Sequence, residues 1–375
     1  MHSHAVCLNP DWVDALFNLG NAAKEFGDNE LAIQSFERAI ALRPDFAQAY
    51  LNLGLTLLLM GRLREGWRNY EWRFACGQPS PRSFQQPRWD GTAAPSKTLL
   101  VYAEQGFGDI LMFSRYLTLA KRLSHMQLVF ECPIAMRSIL QSIDEVDQFV
   151  SPGEALPQFD FQVPLLSLPY VCQTEFHSIP SGASSLSSSY LSPNHELVEK
   201  WKPRFASKKK LKVGIAWQGD PTYRWDHLRS VPLKLFEPLG NLPNIELVSL
   251  QKGRGSEQLS DVVSSFPIED LGETLDVANG AFTDTAAIMT HLDLVISTDT
   301  AIVHLAGALG VPTWLMLPSV PHWVWWLDRT DSPWYPSTRL FRQTAAGKWG
   351  PVIESMTEAL SDSIADHAPM VRGRR

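Results

Sequence analysis

The segment from Leu292 to Gly310 most restricts what this chain can fold into. An apolar run, Leu292 to Ile296, passes through Ser297-Thr298-Asp299-Thr300 straight into an alanine-rich stretch that closes at Gly310. The run reads as a buried parallel strand and the stretch as a helix, with Gly310 in the left-handed position that follows a helix end. A strand that feeds a helix directly is one βα unit of a parallel sheet. The junction also concentrates chemistry. Unpaired N–H groups and the helix dipole favour an anion there, and the side chains of Thr298, Asp299, Thr300 and His304 surround the spot. A diphosphate would suit it. A plain capped helix, with Ser297 or Thr298 as N-cap and His304 half buried, would suit the same residues. Local chemistry does not separate these readings.

A chain of 375 residues has room for two or three domains, and its 45% hydrophobic and 19% charged content is that of an ordinary globular protein. A net charge of −7 argues against general affinity for nucleic acid or anionic membrane, though not against a local basic pocket. No apolar run reaches the length of a transmembrane helix, and Met1 to Pro10 lacks the apolar core of a signal peptide. Cys7, Cys76, Cys132 and Cys172 stand far apart without metal-ligand spacing, as reduced residues of a cytoplasmic protein would. Thirteen tryptophans, several of them between Trp314 and Trp349, lead us to expect a concave aromatic surface.

The first 76 residues contain a repeat. Pro10-Asp11 recurs as Pro44-Asp45, a period of 34, and Asn18-Leu19-Gly20 recurs as Asn52-Leu53-Gly54. Gly20 and Ala32 allow two helices to pack closely. The period and pattern resemble tetratricopeptide repeats. The second unit departs from the pattern at Gly66, Tyr70 and Arg73, so its last helix, Glu65 to Phe74, is expected to dock on something else. Two repeats are too few for an independent solenoid. Either they pack on the next domain or they belong to a longer array.

Residues 77–97 carry Pro79, Pro81, Pro87, Gly91 and Pro95 and read as a linker. Two βα series follow, over 98–207 and 208–375. In the first, strands are expected at 98–103, 127–131, 148–150 and 161–163, with helices at 109–123 and 134–143. In the second, strands are expected at 211–217, 245–250, 268–271, 292–296 and 313–317, with helices near 255–264 and 283–291. The serine-rich segment 178–192 is expected to be a mobile loop, and Lys208-Lys209-Lys210 a solvated link. Ligands of parallel sheets sit at the carboxyl ends of strands. Three such ends draw attention. Glu104-Gln105-Gly106-Phe107-Gly108-Asp109 has two glycines for close approach but lacks the third of a dinucleotide fingerprint. Asp109 there would be a helix cap or a general base, and spacing alone favours the cap. The loop from Trp217 through Gly219, Arg224, Arg229 and Ser230 would clamp a phosphate or pair its arginines with Asp220 and Asp226. Gln251 and Lys252 would hold a base or ribose. Trp323, Trp325 and Trp326 would rim the same cleft, with at least one ring facing it.

WQGDP at 217–221, HLRSVPL at 227–233, STDTAIVHLAGALGVPTW at 297–314 and DSPWYP at 331–336, together with EGWRNYEWR and AEQGFGD, resemble bacterial proteins that join tetratricopeptide repeats to a glycosyltransferase domain. That domain is similar to the ADP-heptose:lipopolysaccharide heptosyltransferases of glycosyltransferase family nine, and more distantly to protein O-GlcNAc transferases. The resemblance implies a GT-B architecture, two Rossmann-like α/β domains facing a cleft: 98–207 for the acceptor and 208–375 for the nucleotide-sugar donor. It implies catalysis without metal or other cofactor, in keeping with the lack of a DxD-type pair. It makes Asp109 the general base, with Gly106, Gly108 and Trp323 on the acceptor side. The phosphate motif Asp-Thr-Gly-x-x-His becomes Asp299-Thr300-Ala301-Ile302-Val303-His304, with Arg229, Ser230, Thr298 and Gly219 beside it. The expected activity is transfer of a sugar from a nucleotide-diphosphate donor to a hydroxyl of a protein or glycan, with the repeats recruiting a protein. The rival is a non-catalytic repeat scaffold carrying a degenerate transferase domain.

Overall fold

The computed structural model describes residues 2–77, 82–180, 189–207, 209–272 and 275–366. Pro79 and Pro81 of the linker, the centre of the serine-rich segment and Lys208 lie outside the described residues.

The repeat segment comprises α1 (His2–Leu8), α2 (Val13–Glu25), α3 (Asn29–Leu42), α4 (Ala47–Leu59) and α5 (Leu63–Tyr70). Asp28 caps α3 by accepting from the Leu31 N–H at 3.2 Å. Gly20 allows the close packing expected of it, since a methyl there would lie 2.6 Å from the Phe36 ring. The helix expected over 65–74 is shorter. It gives way to a 3₁₀ turn, Glu71–Arg73, as Trp67, Tyr70 and Arg73 turn into the neighbouring domain.

The first α/β unit contains β1 (Thr98–Tyr102), α6 (Phe107–Phe113), α7 (Arg115–Ser124), β2 (Gln127–Glu131), α8 (Ile134–Leu140), β3 (Gln148–Val150), β4 (Phe161–Pro164) and α9 (Leu168–Val171). Its parallel sheet has the order β3-β2-β1-β4. The single helix expected over 109–123 is broken at Ser114. There Ser114 Oγ donates to the Leu111 carbonyl and Arg115 Nε to the Met112 carbonyl, both at 2.9 Å, which diverts acceptors from the helical ladder. The linker is partly ordered by the sheet: Trp89 is buried, and its N–H donates to the Gln162 carbonyl at the edge of β4.

The second unit contains α10 (His195–Trp201), β5 (Leu211–Ala216), α11 (Asp226–Arg229), α12 (Glu237–Gly240), β6 (Ile245–Ser249), α13 (Leu259–Val262), β7 (Ile268–Glu269), α14 (Thr283–Met289), β8 (Leu294–Thr298), α15 (Ala301–Ala308), β9 (Thr313–Leu317), β10 (Thr338–Arg342) and α16 (Gly350–Asp366). Its parallel sheet has the order β10-β9-β8-β5-β6-β7. β8 starts two residues later than expected, because the Leu292 N–H still bonds the Met289 carbonyl in the turn after α14. It also runs on to Thr298, which pairs with Met316. The N-cap of α15 is therefore Thr300, not Ser297 or Thr298, and Gly310 follows the helix at φ +72°.

In both sheets the chain leaves the first strand in one direction and returns on its other side. The switch lies between β1 and β4 in one sheet and between β5 and β8 in the other. Crevices open at such reversals, at the carboxyl ends of the strands. One apolar core joins all three parts: Leu58 and Trp67 of the repeats, Phe113 and Leu117 of the first unit, and Val303, Trp323 and Trp334 of the second. The tryptophan cluster expected as a concave surface is core. Trp314, Trp323, Trp325, Trp326, Trp334 and Trp349 are all buried. Trp323, Trp325, Trp326 and Trp334 belong to the core that joins the repeats to both units, whereas Trp314 and Trp349 fill the core on the other face of the second sheet.

Candidate active site

The site forms where the crevice of β1 meets that of β8. Gly106 is the N-cap of α6, and Asp109 is the third helical residue. Asp109 Oδ2 accepts from the Gly106 N–H at 3.2 Å, so the carboxylate does cap its own helix. It is partly buried, and burial pushes its pKa up to about 6, with the negative charges of Asp299 and Glu104 adding to the rise and the Gly106 N–H opposing it.

Facing it, Thr300 opens α15 without a side-chain hydrogen bond to the first-turn amides. The Thr298 hydroxyl is buried and has no partner among the described residues. On α15, His304 is fixed three ways. Its Nδ1 lies 2.9 Å from the Tyr335 hydroxyl, its ring stacks on Trp325 at 5.4 Å, and its Nε2 lies 3.9 Å from Asp299 Oδ1. Burial lowers its pKa to about 4 against the pull of Asp299, so the imidazole is neutral at pH 7. The two helices touch. A methyl on Gly108 would sit 3.0 Å from His304 Cδ2 and 3.6 Å from Ala301 Cα. Arg115 ties the units together nearby, donating to the Trp334 carbonyl at 2.6 Å and to the Tyr190 hydroxyl at 3.1 Å.

The loop after β5 forms the third wall. Arg229 Nε donates to Asp226 Oδ1 at 3.0 Å and its Nη1 to the Asp299 carbonyl at 2.6 Å. Ser230 Oγ donates to Asp226 Oδ2 at 2.8 Å and accepts from the Gly219 N–H at 3.1 Å. A methyl at position 219 would lie 2.2 Å from Asp226 Oδ1 and 2.6 Å from Arg229 Nη2, so a larger residue there would displace that pair. Gly219, Arg229 and Ser230 thus come together with Asp299, organised by the buried Asp226 that sequence reading had treated only as a surface partner. The signal was its spacing: Asp226, Arg229 and Ser230 fall on one helical turn.

Other expected residues have different surroundings. Gln251 Oε1 accepts from the Trp217 and Gln218 N–H groups at 3.1 Å, while its Nε2 donates to the Gln218 and Arg254 carbonyls. It clamps the β5 and β6 loops together. The Lys252 ammonium donates to the Leu275 carbonyl. Trp323 packs edge-on against Trp67 at 5.2 Å, and Trp326 stacks on Phe176 at 5.3 Å. Of the three expected rim tryptophans, Trp325 alone touches a site residue, His304. Tyr335 and Arg115 are site neighbours that sequence reading missed, although Tyr335 lies within a motif it had singled out. A groove of about 640 Å³ runs along the same boundary between α8 and residues 278–283, lined in part by Ser138, Gln141, Asn194 and Glu196.

This arrangement has the GT-B fold. The chain aligns with the glycosyltransferase family nine protein of Veillonella parvula at a TM-score of 0.54, with 11% identity over 74% of this chain and all of that one. It aligns with the ADP-heptose lps heptosyltransferase II of Escherichia coli at 0.50, with 13% identity over 72% of this chain and all of that one. These likenesses define the fold. The TPR repeat family model matches residues 24–61, so the helical segment is a tetratricopeptide repeat there. Along nearly its whole length, 96%, the chain is 28% identical to Protein FlbA of Caulobacter vibrioides, of which it spans 63%. Among the described residues no helix is long and apolar enough to cross a membrane.

Proposed function

We propose that the chain is a glycosyltransferase that moves a sugar from a nucleoside-diphosphate donor to a hydroxyl of a protein or glycan. One observation carries the reading: a carboxylate with a pKa of about 6 on one unit faces an uncapped helix N-terminus and a neutral imidazole on the other. The acceptor oxygen attacks the anomeric carbon as the bond to the diphosphate breaks, and Asp109 takes the hydroxyl proton. The first-turn amides of α15, the Thr298 and Thr300 hydroxyls, His304 and Arg229 meet the charge that develops on the leaving diphosphate. This requires no metal. Asp226 already engages Arg229, so the guanidinium orients the Asp299 backbone and presents its remaining edge. The E. coli relative by fold is an ADP-heptose enzyme, which makes a sugar nucleotide the natural donor class to test. We place the activity in the cytoplasm, consistent with four free cysteines.

The test is release of nucleoside diphosphate from ADP-heptose, ADP-glucose, UDP-N-acetylglucosamine and GDP-mannose, each with and without EDTA. The enzyme reading expects slow release from one donor, unchanged by EDTA. Release from none would favour the scaffold reading.

A further inference from the structure

The repeats are expected to recruit a partner, yet their last residues reach the loop that carries Asp109. Tyr70 ends α5, and its hydroxyl accepts from Gln105 Nε2 at 2.7 Å. Arg73, three residues on, is almost wholly buried; its Nη2 donates to Glu104 Oε1 and to Ser167 Oγ, both at 2.6 Å. Its Nη1 donates to Glu71 Oε1 at 2.7 Å, and the guanidinium lies over the Tyr70 ring at 4.6 Å. Glu104 and Gln105 are the first residues of the turn that continues through Gly106 to Asp109. Gln105 is held at φ +64°, a left-handed conformation that non-glycine residues seldom adopt and that the surroundings must impose. Glu104 is anchored again by the Leu166 N–H at 3.1 Å. The loop is thus fastened on one side by the transferase sheet and on the other by the repeat segment. Gly54 lets the fastening come close, for a methyl there would lie 2.8 Å from the Tyr70 nitrogen.

We infer that Tyr70 and Arg73 are positioning residues for Asp109, so that the repeat segment is a working part of the active site as well as a docking arm. The inference rests on the transferase reading. A buried Arg–Glu pair broken on one side leaves an uncompensated charge and risks unfolding. The informative variants are therefore Tyr70→Phe, which removes one hydrogen bond, and the double change Arg73→Met with Glu104→Gln, which removes both charges.

Hydrogen exchange on the full chain reads positioning directly, and diphosphate release from the four sugar nucleotides named above reads its catalytic meaning. We expect amides 104–109 to exchange at least about tenfold faster in both variants while the core strands keep their protection. The turnover number should fall about 5- to 10-fold in Tyr70→Phe, the effect of one hydrogen bond, with KM for the sugar nucleotide unchanged. A residue that only supported folding would lower the yield of folded protein without changing turnover per folded molecule. Unchanged exchange at 104–109, or unchanged turnover in both variants of an active parent, would overturn the inference. A parent that releases no diphosphate from any donor would overturn the transferase reading instead, and with it the catalytic meaning of a loop that still loosens.

Discussion

Gly108 and His304 meet across the boundary between the two α/β units so closely that a methyl group on Gly108 would lie 3.0 Å from His304 Cδ2 and the ring would have to give by a few tenths of an ångström. His304 cannot retreat cheaply, because Tyr335 and Trp325 hold it from behind. Gly108→Ala should therefore separate the helices slightly and cost about 1–3 kcal/mol in stability, the usual effect of overpacking. It should also weaken nucleoside diphosphate binding. Denaturant unfolding and a titration of the same variant measure the two effects.

His304 gives stability a defined pH dependence. Its folded pKa, about 4, lies below the unfolded value near 6.5. Between those values the unfolded chain binds the proton and the native protein does not, so this contribution is fully present above pH 6.5 and is lost as pH falls toward 4. The stability difference between parent and His304→Gln should shrink by about 3 kcal/mol across that window. A difference that stays constant with pH would mean that the imidazole titrates normally in the fold.

Asp109 works in the opposite sense. Its folded pKa is raised to about 6, so its ionisation destabilises the native state increasingly from pH 4 to 6 and to a constant extent above. Asp109→Asn should be about 2–3 kcal/mol more stable relative to the parent at pH 8 than at pH 4. The same change should lower turnover by about 10²–10⁴-fold. In the parent, the rate should fall on the acid side of pH 6. Urea titrations at several pH values and a pH–rate profile check both halves.

Trp67 tests the junction of the repeats with the two α/β units. It is fully buried and meets Phe113, Trp323 and Trp334 edge-on. Trp67→Ala should cost about 3–5 kcal/mol and produce one cooperative unfolding transition at lower denaturant. Two separate transitions would show that the repeats unfold independently.

The sequence was most readable where local pattern and tertiary role coincide. The strand Thr313–Leu317 lies within its expected bounds because an apolar run between Pro312 and Pro318 has few alternatives. The strand Thr338–Arg342 was missed because it is an edge strand that includes Arg339 and Arg342. The helix Gly350–Asp366 opens with glycine and proline and has no N-cap residue from the usual set. In the site, Asp109, Asp299, Thr300 and His304 could be found because a strand-to-helix junction is a local event. The long-range contacts were not visible. Neither the fastening of Gln105 by Tyr70 nor the hold of Tyr335 on His304 leaves a trace in spacing. The tryptophans misled for a related reason, since composition does not say whether a ring faces a cleft or fills the space between domains.

The most direct test of the central claim is calorimetric titration of ADP, UDP, GDP and CMP into the parent, Asp299→Ala, His304→Ala and Asp109→Asn. A donor site at this junction predicts that one nucleotide binds the parent and binds His304→Ala about 10- to 100-fold more weakly, one hydrogen bond to a charged diphosphate oxygen being lost, whereas Asp299→Ala, which removes a carboxylate of the same sign as the diphosphate, binds it at least as tightly. It predicts that Asp109→Asn binds that nucleotide as the parent does. Binding of none of the four nucleotides, or equal binding by all four proteins, would contradict a donor site at the junction of β8 and α15.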